Sequence, residues 1–306
     1  MAQVKSYILF AAVLLLFSCK ETPHPSINSV YYWSTTWESD SMQQEFLREN
    51  HVSRLYLRYF DVVVDAEGAV MPNATLRFAD ALPQDMEVVP TVFIVNDCMV
   101  KDTKGLGMKI LKRVRQMTET HDVPNVHELQ IDCDWSRRTR AAYFAMLEEL
   151  RDSAHAYGLQ LSATIRLHQL SDAAPPVDRG VLMMYNTGDV SDLSHNPILE
   201  KEAVEPYLKH ISNYSLDLAT AYPVFSWQLL VRSGKFVGIM HSDDDLPVLP
   251  GDTILQREVG LEEVLTVKDA VTRQRSAANQ EIILFDISKK NIQRIKDNHY
   301  EKIYRH

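Results

Sequence analysis

From about residue 28 onward, two apolar patterns take turns along the chain. Short runs alternate residue by residue, the period of a strand with one face buried. Longer runs place apolar residues every three or four positions, the period of a helix. The alternating runs predict eight strands, at 29–35, 54–62, 87–95, 129–135, 159–167, 181–185, 218–227 and 281–287. In the second, Leu55, Leu57 and Tyr59 stand against Tyr56, Arg58 and Phe60. Pro90 marks an irregular start to the third, and Pro223 interrupts the seventh. The first helix is capped by Ser39 or Asp40 and runs to Asn50, with Phe46 and Leu47 inward. Others are expected at 106–120, 139–157, 202–214, 260–275 and 291–304, with a short helical piece at 75–81. The clearest is 139–157, where Tyr143, Met146, Leu147, Leu150 and Ala154 make one stripe and Gly158 stands at the cap position. A hairpin at 228–240 turns at Ser233-Gly234-Lys235, and an acidic, proline-bearing loop fills 241–252.

Strand–helix–strand units close by right-handed parallel crossovers. Eight strands, each followed by a helix or helical piece, predict a single-domain (β/α)8 TIM barrel over 28–306. A doubly wound open sheet would need a glycine-rich phosphate turn after an early strand. Gly105-Leu106-Gly107 lacks the third glycine and does not directly follow a strand.

The first residues follow a different pattern. Lys5 precedes an apolar stretch at 8–17 that is too short to span a bilayer comfortably. It ends in Leu16-Phe17-Ser18-Cys19, which resembles a bacterial lipobox. The resemblance implies a signal peptide at 1–18 and a lipidated, palmitate-bearing Cys19. A stiff tether over 19–27, with Pro23 and Pro25, leads into the barrel. Lys20-Glu21 is not the aspartate that retains such proteins in the inner membrane of enteric bacteria. It is similar to the charged tethers of surface-exported Bacteroidetes lipoproteins. The expected place is therefore the bacterial cell envelope, lipid-anchored at the outer membrane. A plain signal peptide with an incidental cysteine is the alternative.

Composition adds little and excludes something. The 306 residues carry a formal charge of −9 and are 24% charged, which is ordinary for a globular protein. The acidic balance argues against a nucleic-acid partner held by phosphate contacts. Cys98 and Cys133 fall near the ends of neighbouring strands. An oxidising compartment would permit a disulfide, but two separate buried thiols is the preferred reading. No CxxC or His/Cys metal spacing appears, so neither metal nor cofactor is expected.

The chemistry gathers where a barrel collects its strand exits. In the fourth run, Leu129, Ile131 and Cys133 point one way, and Gln130, Asp132 and Asp134 the other. Two carboxylates on one face of an apolar strand are costly to bury without a role. The structural alternative is a helix cap and an arginine partner. Around them the exits offer Tyr32, Trp33 and Trp37; Arg58, Phe60 and Asp61; Asn96 and Asp97; Trp135; Arg166 and His168; Tyr185, Asn186 and Asp189; Tyr222 and Trp227; and Asp286. Aromatic faces stack on sugar rings, and carboxylates and arginines bind hydroxyls. Carbohydrate is therefore the expected partner, with Trp33, Arg58, Trp135, Arg166, His168, Tyr185, Asn186, Tyr222 and Trp227 as substrate-binding candidates. The aromatics equally suit rim packing, the arginines equally suit neutralising buried acids, and His168 alone suits a structural role. Asp243-Asp244-Asp245 reads as a solvated loop.

Glycoside hydrolysis needs two carboxyl groups about the scissile bond. Asp134 is the candidate general acid, with Asp132 deeper and tuning it by like charge. The run Gln130-Ile131-Asp132-Cys133-Asp134-Trp135-Ser136, the Tyr143 helix, Leu161-Ser162-Ala163-Thr164 and 183–189 resemble a family of uncharacterised glycoside-hydrolase-like barrel proteins of bacteria. The resemblance covers most of the mature chain and implies a TIM barrel with a sugar-active site. The strand is also distantly similar to the D-x-x-D-x-D-x-E of chitinase-like barrels. There it departs: Ser136 stands where that pattern has its proton-donating glutamate. Two functions follow, a sugar-active glycoside hydrolase and a non-catalytic glycan-binding lipoprotein on the same barrel. A metal-dependent hydrolase would need histidines near the acids, and only His168 is placed there.

Overall fold

The computed structural model of the protein describes residues 26–240 and 246–305. The signal peptide expected at 1–18, Cys19 and the tether through Pro25 lie outside the described residues, as do Asp243, Asp244 and Asp245. The strands of the first half are β1 (Ile27–Tyr32), β2 (Thr36–Trp37), β3 (Val52–Val64), β4 (Val70–Asn73), β5 (Arg77–Phe78), β6 (Glu87–Ile94) and β7 (Glu128–Asp132). Those of the second half are β8 (Gln160–Ile165), β9 (Arg179–Met183), β10 (Asp217–Pro223), β11 (Ser226–Arg232), β12 (Lys235–Met240), β13 (Thr253–Glu258) and β14 (Glu281–Phe285). The α-helices are α1 (Ser41–Glu49), α2 (Leu106–Thr120), α3 (Arg140–Ala156), α4 (Lys201–Ile211), α5 (Leu261–Gln274) and α6 (Lys289–Asn298).

β1, β3, β6, β7, β8, β9, β10 and β14 lie parallel and follow one another around a ring in chain order. β1 pairs with both β14 and β3, so the ring is closed. This is a single-domain α/β barrel of TIM type, as the alternation predicts. Apolar residues fill two separate spaces. Tyr31, Tyr56, Val89, Val181, Met183, Ala219, Ala221 and Ile283 fill the inside of the ring. The larger core lies between ring and helices, where Tyr143, Met146, Leu147, Leu150 and Ala154 of α3 are all buried. Asp40, rather than Ser39, caps α1 by accepting a hydrogen bond from the Gln43 N–H at 2.8 Å.

The N-terminal mouth of the ring is tied by charges. Arg179 bonds Glu281 and also Glu128, the latter at 3.2 Å. Arg54 reaches Glu281 at 2.8 Å and Glu87 at 3.0 Å. Ser29 and Tyr56 donate to the other oxygen of Glu281. Burial alone would raise the Glu281 carboxyl, but Arg179 and Arg54 beside it hold it below its ordinary range.

Four expectations need correction. Residues 75–81 are not helical: the Leu76 and Arg77 N–H groups bond Tyr59 and Thr35 carbonyls, and β5 pairs with β2. So short a segment gains more from these partners than from an isolated helical turn. The seventh run splits at Pro223, which ends β10, and its remainder starts β11. β11 is flanked antiparallel by β12 and by β13, a strand not foreseen, and together they form an arm beyond the barrel. The last helical run breaks at His299, which takes a left-handed φ of 58° and starts a 3-10 turn over Tyr300–Tyr304. Cys98 and Cys133 are both free and buried, the preferred reading of the two.

Candidate functional site

A cleft of about 510 Å³ opens where the strands end. Its walls come from seven ring strands or their exits, from the β10–β11 connection and from the arm. Trp33 follows β1 directly, and Phe285 is the last residue of β14. Tyr185 lies just past β9, and Phe225 and Trp227 stand at the root of the arm. Their rings form a connected set: Tyr185–Phe285 centroids are 4.7 Å apart, Trp33–Phe285 5.5 Å and Phe225–Trp227 5.5 Å. Asp132, Arg58, Arg166, Asn186, Asp286 and Asn291 supply polar groups between them.

Arg58 owes its place to a bulge. Along β3 the register against β6 passes from Arg58 to Phe60, leaving Tyr59 unopposed. The extra residue puts Arg58 and Asp61 on one face, which a regular strand forbids at that spacing. They form a two-point ion pair, with Arg58 Nε donating to Asp61 Oδ1 at 2.8 Å. Arg58 also donates to the Trp33 carbonyl at 3.1 Å and lies 5.4 Å from the centre of the Trp33 ring.

The two acids of the fourth strand part company. Asp132 is the last residue of β7 and is almost fully buried, 4% exposed. Thr164, its neighbour on β8, donates to Oδ1 at 2.7 Å, and Arg166 donates to the same oxygen at 3.2 Å. Asp134 lies beyond the strand end and is exposed. It lines a side recess of about 240 Å³ with Arg166, His168, Tyr185, Asn186, Thr187 and Tyr207. Arg166 therefore stands between them, and both acids hold its guanidinium more firmly charged against the opposing effect of burial. The two acids thus face one shared cation, Arg166.

Trp33, Arg58, Arg166, Tyr185, Asn186 and Trp227 meet at the cleft, and His168 joins Asp134 in the recess. Two candidates do not. Trp135 is 1% exposed and packs in the outer core, 5.4 Å from Phe144. It keeps the outward parity of Ile131 and Cys133. Tyr222 is fully buried in the same core, and its hydroxyl donates to Asn279 Oδ1 at 2.9 Å. Neither lines the cleft or the recess.

Phe225, Phe285, Asn291 and Asp286 complete the cleft without having been assigned a role from sequence. Phe225 could have been found from its place two residues before Trp227, on the same face of an alternating run. Asp286 is among the rim acids that the strand exits predict. Burial pushes its carboxyl up to about 6, against hydrogen bonds from the Asn291 amide and from the Asp286 and Trp33 backbones.

No family model matches this chain, and no curated protein sequence does. Solved structures match its fold. The spore cortex-lytic enzyme SleL of Bacillus megaterium superposes with a TM-score of 0.57 at 11% identity, covering 91% of this chain and 75% of that one. SleL of Bacillus cereus gives 0.56 at 13% identity, over 91% and 75%. A chitinase of Chromobacterium violaceum gives 0.54 at 11% identity, over 90% of this chain and 99% of that one. At these identities the likeness is one of fold: this chain shares the α/β barrel of those structures.

Proposed function

We propose that the protein is a lipid-anchored cell-envelope protein that takes carbohydrate into the cleft of its barrel. One observation carries this reading. The cleft alternates aromatic faces, Trp33, Tyr185, Phe225, Trp227 and Phe285, with carboxylates, arginines and amides. Sugar rings present the matching surfaces, apolar C–H faces edged by hydroxyls. The named activities of the neighbours make chitin and spore cortex the first polymers to try.

Binding without cleavage is the second reading, and one residue favours it. Ser136 occupies the place of the chitinase-like glutamate, and its hydroxyl lies 3.2 Å from that of Thr139. The test is a glycan panel, read by calorimetry for binding and by new reducing ends for cleavage. Trp33→Ala and Trp227→Ala should each weaken binding about tenfold, the scale of one lost aromatic stack. Failure of every glycan to bind, or unchanged affinity in both variants, defeats the proposal.

A further inference from the structure

We infer that Asp286 is the proton-donating carboxyl of this cleft, and that glycosidic bonds are cleaved between it and Asp132. This rests on the carbohydrate reading above. Asp286 follows β14 directly and lines the same cleft as Asp132. Its residue remains partly accessible, while its Oδ1 is held by the side-chain amide of Asn291 in the first turn of α6. An amide donor suits either protonation state of its partner: it fixes the carboxyl without supplying the positive charge that would keep it ionised. That distinguishes Asp286 from the other acids of the site. Asp132 has Arg166, Asp61 has Arg58, and Asp134 is exposed beside Arg166. Asp286 alone has burial without a paired cation among the described residues, so it retains its proton to a higher pH than a free carboxyl.

Tyr185 lines the same cleft as both carboxyls. Its buried hydroxyl resists ionisation first through burial and then through charges that include both Asp132 and Asp286. The step balances as a hydrolysis. Asp286 gives its proton to the glycosidic oxygen, the C1–O bond breaks, and its electron pair leaves with that oxygen as an alcohol. A water oxygen bonds to C1, and the proton that this water sheds passes to Asp132. Both protein contacts of Asp132 described above use Oδ1, which leaves Oδ2 to receive it. Asp132 then releases that proton to solvent and solvent returns one to Asp286, so both carboxyls are restored and one water is consumed per bond.

The groups facing Asp286 set the pH behaviour. They are Lys290 and Asn291 on α6, Arg58 on β3, Tyr185 after β9, and Asp132 and Arg166 across the cleft. The alkaline limb of the activity profile should fall as pH rises through about 6, because the acid form of Asp286 is then lost. The experiment uses full-length protein in detergent with chitin oligosaccharides, peptidoglycan, xylan and cellulose. Binding, release of reducing ends and melting temperature are measured on wild type and Asp286→Asn. The variant should bind the same glycan, melt no lower, and lose at least about a hundredfold in turnover. Asp286→Glu should retain part of the activity with a displaced pH limb. Two results overturn the inference while leaving the binding reading intact: glycan bound by wild type but never cleaved, or turnover in Asp286→Asn within tenfold of wild type. A panel on which nothing binds removes both readings together.

Discussion

Asp132 and Asp134 show how far two residues of the same type, two positions apart, can diverge. Asp132 is locked by Thr164 and Arg166, so Asp132→Asn should cost about 2 kcal/mol, less than a fully orphaned charge because Asp134 also faces Arg166. Asp134→Asn should change stability by no more than about 0.5 kcal/mol, as exposed substitutions do. Urea melts of the two variants check both figures, and equal destabilisation would show that Asp134 is structural too. At this scale, legibility followed parity. Gln130, Asp132 and Asp134 were readable as one face, and the inward turn of Asp132 is as read. The same parity places Trp135 with Ile131 and Cys133, in the outer core and away from the cleft. Tyr222 was harder to place, since β10 is apolar on both faces and its alternation says little.

Strands and helices were more legible than their interruptions. The stripe of α3 and the bounds of α2 stand almost where the spacing puts them. The bulge at Tyr59 carries no residue-type signature, because its cause is the register of the neighbouring strand β6. β13 escaped for another reason: a strand exposed along most of its length lacks the alternation that burial imposes. Close packing between ring strands gives the prediction that belongs here. A Cβ on Gly180 of β9 would lie 2.9 Å from both Ile165 Cγ1 and Leu218 Cδ2. Gly180→Ala therefore forces two core side chains apart and should cost about 1–3 kcal/mol, seen as a lower urea midpoint at an unchanged slope. A variant as stable as wild type would mean that the ring relaxes there freely.

For the whole molecule, the anchor is the part that sequence alone argues. If Cys19 carries the proposed lipid, Cys19→Ala should move the protein from the membrane fraction to the soluble one, because acyl chains would supply the hydrophobic attachment. Fractionation with an antibody to the barrel reads this directly, and a variant that still pellets with membranes rules out the lipid anchor. The barrel was legible as a whole because eight alternating runs separated by helical ones admit few topologies. The cleft was legible only in outline, since which exits converge depends on loops and on an arm that share no period. The charge cluster at the N-terminal mouth bears on synthesis. Glu281 joins residues of β1, β3 and β9, yet it lies on the last strand to leave the ribosome. Until it emerges, Arg54 and Arg179 lack a principal counter-charge and β1 lacks one neighbour. The ring therefore cannot close until β14, which pairs with both β1 and β10, has emerged.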